Sequence, residues 1–280
     1  MQIGIIGAGK VGVTLGKYLK EHQIPVTGFY SKSRQSIQEA CRFTGTKEFY
    51  TLKELVCAND TLFVTTPDGV IGEIWDQIAK NPIRNKTICH FSGSLSCDVF
   101  SNRKEAGAFA CSIHPIYPFD HKFSAYLQFH KAVLTMEGDK EAVDIMAPLL
   151  KQLGHKVFEM EGRGKRKYHA AASMASNHML ALLETSVRLL RQCGFSEKDA
   201  YEVLGPLVSS NLENALQKGV KEALTGPIER NDISTVSGHI EELTAEERAI
   251  YKSLGQLLIE IAEEKHPDRD YGEIENILRR

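Results

Sequence analysis

The sequence predicts an α/β protein, with a doubly wound, mostly parallel sheet followed by an all-α region. Three observations carry this. Through the first half, short β-branched runs alternate with helical stretches, the pattern of successive βαβ units. A glycine-rich turn joins the first run to the first helical stretch. Beyond about Glu161 the strand pattern stops and helical periodicity takes over. The division this implies is a doubly wound domain at residues 1–160 and a helical domain at residues 161–280.

The elements follow in order. Gln2–Ile6 reads as a strand, Lys10–His22 as a helix and Val26–Tyr30 as a second strand. Gln35–Thr44 reads as a helix, and Thr61–Thr65 (TLFVT) as a buried strand. Thr87–Phe91, Phe109–Ile113, Ala132–Met136 and Lys156–Phe158 are further strands. The helix Lys140–Leu153 closes at Gly154, a residue type that favours the left-handed C-cap. Gly162-Arg163-Gly164-Lys165 then interrupts the chain, and Lys165–Cys193 reads as one long helix rich in Ala, Met and Leu. In Ser196–Lys218, Ser196 is the N-cap, and Glu197 and Asp199 face the positive end of the helix dipole. Pro206 removes a backbone donor and is expected to kink or divide that helix. Thr244-Ala-Glu-Glu247 opens the last long helix, to about Glu264, with a capping box. The polar tail from His266 reads equally as an ordered arm or a frayed end.

Composition narrows the function classes. Among 280 residues the net charge is −2, so no global basic field attracts nucleic acid or an anionic membrane. No run approaches the roughly 20 apolar residues of a membrane span. Cys41, Cys57, Cys89, Cys97, Cys111 and Cys193 form no CxxC pair, a usage that fits a reducing compartment. The expectation is a soluble, cytoplasmic protein. With no HExxH, no HxH and no Cys/His cluster, no metal is expected.

Gly7-Ala8-Gly9-Lys10-Val11-Gly12 is GxGxxG between a strand and a helix. The first glycine allows the tight turn. The second lets backbone approach a pyrophosphate, and the third lets helix and strand pack closely. An NAD-preferring site ends its second strand with an acid on the ribose 2′-hydroxyl. Here that segment is Tyr30-Ser31-Lys32-Ser33-Arg34, two hydroxyls and two cations without an acid. Ser31, Ser33 and Arg34 suit a 2′-phosphate through charge-assisted bonds. The expected cofactor is therefore NADP(H), the alternative being a solvated basic turn.

Thr65-Thr66-Pro67-Asp68, at the carboxyl edge of the sheet, resembles the 6-phosphogluconate-dehydrogenase-like superfamily. That group includes β-hydroxyacid dehydrogenases, pyrroline-carboxylate reductases, prephenate dehydrogenases and ketopantoate reductases. It pairs an N-terminal Rossmann domain with a helical C-terminal domain. His90-Phe91-Ser92-Gly93-Ser94, Ser112-Ile113-His114-Pro115, the stretch from Tyr168 to Asn177, the stretch from Leu224 to Asp232, and His239 narrow the resemblance. Together they resemble the Rossmann-like proteins whose C-terminal half is a domain of unknown function. Members are described as NADP-dependent oxidoreductases, some as an alternative ketopantoate reductase. The resemblance implies NADPH-dependent reduction of a small carbonyl acid, with ketopantoate the leading candidate, by a homodimer paired through its helical half. A reductase of an imine or prephenate-like acid and a non-catalytic NADP(H) sensor are the alternatives.

Hydride transfer to a carbonyl also needs a proton donor, a group that orients the carbonyl, and donors for the substrate's charge. Ser92, Gly93 and Ser94 offer hydroxyls and N–H groups for a carboxylate, the use that β-hydroxyacid dehydrogenases make of this segment. Thr66 and Pro67 belong to the cofactor side. His114, fixed by Pro115, resembles the His-Pro of prephenate dehydrogenases. His169, Ser173 and Asn177 are spaced by four and share one helix face. The superfamily carries Lys-x-x-x-Asn there, with the lysine as proton donor. Asn177 matches the asparagine, but Ser173 stands at the lysine position. The acid role then falls to His169 or His114, with Asn177 orienting the substrate. Lys165 and Lys167 are expected to point elsewhere. Arg230 is a candidate clamp for a substrate carboxylate, and Asp232 reads as the N-cap of a helix Ile233–Leu243.

Overall fold

A computed structural model describes residues 1–279, which fall into two compact units divided after Ser176. The first unit holds eight strands: β1 (Ile3–Ile6), β2 (Val26–Tyr30), β3 (Lys47–Glu48), β4 (Thr61–Val64), β5 (Thr87–His90), β6 (Phe109–Ile116), β7 (Val133–Gly138) and β8 (Lys156–Glu159). They form one sheet in the order β3-β2-β1-β4-β5-β6-β7-β8. Every pairing is parallel except β6 with β7. Helices α1 (Lys10–Glu21), α2 (Arg34–Thr44), α3 (Leu52–Ala58), α4 (Asp68–Ile78), α5 (Lys140–Gln152) and α6 (Lys165–Ser173) complete it. β1, β4 and β5 are buried along their whole length, as strands covered on both faces must be. One core cluster gathers Ile5, Leu15, Phe29, Phe63, Phe129 and Met146. A second gathers Ile6, Leu55, Leu62, Trp75, Ile88 and Phe100.

Parallel register brings the carboxyl ends of β1, β2, β4 and β5 level, at Ile6, Tyr30, Val64 and His90. The loops that follow carry the sequence motifs to one edge, where ligands of open α/β sheets bind. β6 outruns the expected Ile113. Its pairing with β5 ends at Ser112, and beyond that it bonds only to β7. Pro115 therefore needs no donor on the β5 side, the condition under which a strand tolerates proline. The antiparallel register sets His114 opposite Thr135 and Ser112 opposite Glu137.

The second unit is helical: α7 (Met179–Gln192), α8 (Glu197–Lys218), α9 (Val220–Ala223), α10 (Ile233–Glu242), α11 (Ala245–Lys265) and α12 (Gly272–Arg279). The single helix expected over Lys165–Cys193 is interrupted by a π-helical turn, Met174–His178, a local rewinding with no sequence signature of the Gly or Pro kind. α8 runs unbroken through Pro206 for 22 residues, so the expected division does not occur. Both halves of the Thr244–Glu247 capping box form. The tail is ordered: Tyr271, Ile274 and Leu278 are buried with Val236, Ile259 and Ala262. Among the described residues no helix is long and apolar enough to cross a membrane.

Candidate active site

The glycine loop begins at Gly7, whose φ of +112° excludes an ordinary side chain. Thr65 Oγ1 donates to the Gly7 carbonyl at 2.9 Å and ties β4 to the loop. A Cβ on Gly12 would lie 2.2 Å from that carbonyl oxygen and 2.5 Å from Thr65 Oγ1. Only glycine lets α1 start this close to β1. Gly9, the N-cap of α1, offers no side chain to the first-turn N–H groups, and a Cβ there would meet only open space. Gly7, Ala8, Gly9, Ser31, Thr66 and Pro67 line a cleft of about 330 Å³. Lys10, Val11, Asp68, Phe91 and Ser92 continue it in a second cleft of about 350 Å³ that shares Gly9, Thr66 and Pro67. The Thr66 hydroxyl oxygen is buried without a partner at this shared wall. An uncapped helix N-terminus over open space, with an orphan hydroxyl beside it, fits a pyrophosphate-bearing dinucleotide.

At the end of β2, Ser33 caps α2 by accepting from Ser36 N at 3.2 Å. Ser36 Oγ donates to Ser33 Oγ as well, at 3.1 Å, so the Ser33 proton stays available to a phosphate, while Ser31 is the hydroxyl that lines the cleft. Lys32 also lines it. The Arg34 guanidinium lies 5.6 Å from the Tyr50 ring centre. No ion pair engages it among the described residues.

A second cluster forms beyond β5 and β6. The His114 and His169 rings meet edge to face, with centres 5.6 Å apart. Gly93 sits against both. A Cβ there would lie 2.4 Å from His169 Nδ1 and 2.8 Å from His114 Nε2. Two imidazole nitrogens thus converge over one glycine, and His169 Nδ1 is buried without a partner. Tyr168 Oη lies 2.7 Å from His114 Nδ1. Burial, followed by the charges of Lys165 and His169, lowers the pKa of His114 to about 4. At neutral pH its ring is uncharged.

Lys165 does not point away, as its expectation had it. It is four residues before His169 and so shares that face of α6. Its Nζ donates to Ser92 O at 3.0 Å and to Ser112 Oγ at 2.8 Å, and the residue is 2% exposed. Burial lowers its pKa to about 8, against the opposing pull of Glu137 and Asp68.

The hydroxyls of Ser92 and Ser94 have a different partner from the one expected. Both donate to Asp68 Oδ2, at 2.7 and 2.8 Å. The turn is held from β4's side by a carboxylate, so its hydroxyl protons are not free for a substrate carboxylate. Ser173 is half-buried at the end of α6. Asn177 lies in the π turn and Arg230 in an exposed loop, both in the second unit. Asp232 caps α10, accepting from Thr235 N at 3.1 Å. Among the described residues no group of three His, Cys, Asp or Glu could hold a metal. Sequence reasoning missed Asp68 and Tyr168, whose partners lie on other elements. Lys165 it could have found from the spacing of four.

Residues 1–115 match the model of a Rossmann-like domain, and residues 132–258 match a domain of unknown function, DUF2520. No curated protein matches the chain. A protein from Thermotoga maritima is 24% identical, with a TM-score of 0.73 over 94% of this chain and 99% of that one. A candidate NADP oxidoreductase from Bacteroides fragilis is 20% identical, with a TM-score of 0.73 over 92% and 98%. An imine reductase from Pseudomonas sp. is 14% identical, with a TM-score of 0.63 over 99% and 91%. At these identities the likeness is one of fold.

Proposed function

We propose that this chain, which joins a Rossmann-like domain to DUF2520, is an NADPH-dependent oxidoreductase that reduces a small carbonyl or imine acid. The observation that carries the reading is the convergence of His114 Nε2 and His169 Nδ1 over Gly93, next to the glycine-loop cleft. The candidate NADP oxidoreductase and the imine reductase of like fold support it by analogy.

The glycine loop and the α1 N-terminus hold the pyrophosphate, and Ser31, Lys32 and Arg34 hold the 2′-phosphate. NADPH, when bound, supplies the hydride. His114 stays neutral far below pH 7, so it polarises the substrate by hydrogen bonding and is a poor acid. The reading assigns the proton to His169, whose Nδ1 is buried against Gly93 with no protein partner.

Ketopantoate is the leading substrate on the family resemblance. The imine reading has its own support. Asp68 lines the cleft beside Ser92, and its carboxylate favours a cationic iminium over an anionic group. The test is NADPH consumption with ketopantoate and with a panel of cyclic imines, while nicotinamide fluorescence follows cofactor binding in the same samples. Turnover with either substrate supports the reductase and separates the two classes. Tight NADPH binding without turnover on any substrate would leave a sensor and end the catalytic reading.

The helical unit exposes much apolar surface. Leu207 on α8 is 59% exposed and Leu216 79%, while Ala200 is the one buried residue described in that 22-residue helix. The reading therefore includes a homodimer that covers α8, C2 pairs being the commonest assemblies.

A further inference from the structure

Tyr168 has no role in the scheme above, yet it is bonded to both strands beneath the imidazole pair. His114 and Thr135 are directly opposed in the antiparallel β6–β7 ladder, so their side chains leave the sheet on the same face. Tyr168, in the first turn of α6, lowers its hydroxyl between them. Thr135 Oγ1 donates to Tyr168 Oη at 2.9 Å. A phenol carries one proton. With its oxygen accepting from Thr135, that proton is directed to the group 2.7 Å away, His114 Nδ1. Nδ1 is then the acceptor, and the ring hydrogen of neutral His114 must sit on Nε2. Nε2 is the nitrogen that reaches Gly93 beside His169 Nδ1. The ring is also held between two others in edge-to-face contact, Tyr168 at 5.6 Å and His169 at 5.6 Å.

We propose that Tyr168, itself oriented by Thr135, is a positioning residue that fixes His114 in the Nε2–H tautomer and so aims a hydrogen-bond donor at the reacting oxygen or nitrogen. The inference rests on the reductase reading for its use, but not for its truth, since the tautomer is a property of the resting protein. The reverse chain is disfavoured by Thr135. It would leave either the threonine proton or, if the phenol accepted from both neighbours, the phenol proton without an acceptor among the described residues. Lys165, His169 and Tyr168 from α6 and Asp68 from α4 are the titratable groups that face His114. None of them bonds to Nδ1 except the phenol.

The test is ¹⁵N NMR of histidine-labelled full-length protein at pH 7, with the His114 signal assigned by its loss in His114→Asn. The expected result is a single Nε2–H tautomer in the parent. In Tyr168→Phe, which keeps the ring and removes the hydroxyl, the signal should become a mixture. Thr135→Val should give the same change to a smaller degree and serves as the second variant if Tyr168→Phe does not fold. Turnover should fall in Tyr168→Phe with the KM for NADPH unchanged. The fall is bounded by the ~5-fold of an ordinary hydrogen bond and the ~10⁴-fold of a catalytic histidine held in its wrong tautomer. A parent in the Nδ1–H form, or a Tyr168→Phe spectrum identical to the parent's, overturns the inference whatever substrate is found. Loss of the reductase reading alone would leave the NMR result standing.

Discussion

Gly93 carries no side chain because two imidazoles occupy the space one would take. Gly93→Ala is therefore expected to push His114 and His169 apart. It should lose at least about 10-fold in turnover while NADPH binding persists, at a stability cost of about 1–3 kcal/mol, the usual range for overpacking. Turnover and cofactor fluorescence on the same preparation check this, and retained activity would remove the imidazole pair from the reaction. Arg34 poses the complementary question on the cofactor side. It is exposed, with its guanidinium 5.6 Å from the Tyr50 ring centre and no acid engaging it among the described residues. Losing a charge-assisted bond to the 2′-phosphate costs about 1.5–3 kcal/mol, so Arg34→Ala should weaken NADPH by about 10- to 150-fold and leave NADH nearly unchanged. Equal losses for both cofactors would return the β2 end to a plain solvated turn.

At the scale of elements, β5 and α6 each bury a base, and each should leave a signature in stability against pH. His90, at the end of β5, is fully buried, and burial lowers its pKa from 6.5 to about 4. Between those values the unfolded chain takes up a proton that the folded chain does not. Stability contributed by neutral His90 is thus present above pH 6.5 and is lost as the pH falls toward 4, up to roughly 3 kcal/mol. His90→Asn should lack that dependence in chemical denaturation between pH 4 and 6.5, and an identical slope would deny the burial effect. Lys165 acts at the other end. Its pKa is lowered from 10.5 to about 8, so the cost of burying its charge is full below pH 8. That cost shrinks as the pH rises from 8 to 10.5. Relative to Lys165→Met, the parent should gain stability across that window, and a constant difference would contradict it. α8 adds a caution about element rules. Proline disfavours a helix interior, yet α8 continues through Pro206.

For the whole molecule, the homodimer proposed above covers the exposed apolar residues of α8. Sedimentation should show a dimer, and Leu207→Lys with Leu216→Lys should shift it to monomer while the far-UV spectrum is preserved. A parent that is already monomeric at micromolar concentration would end the homodimer reading.

Most strands and helices of the first unit were legible because β-branched runs, glycine turns and helix caps act over a few residues, but β3, α3 and α4 were not among the elements read. The glycine loop and the acid-free end of β2 were legible for the same reason. The spacing of four put His169, Ser173 and Asn177 on one helix face. His169 and Ser173 lie in α6, but Asn177 falls in the π turn, where that spacing no longer holds, and the same rule would have found Lys165. Other features depend on residues distant in sequence. Asp68 meets Ser92 and Ser94 only because β4 and β5 are neighbours. Tyr168 meets His114 and Thr135 only because β6 and β7 pair antiparallel in one register. A one-residue slip would turn one of those side chains to the other face. Local chemistry in the sequence determined where the chain turns and what kind of cofactor its first loop suits. Which nitrogens converge over Gly93, and which carboxylate already holds the serines, was decided by sheet order and register, which no short stretch of sequence encodes.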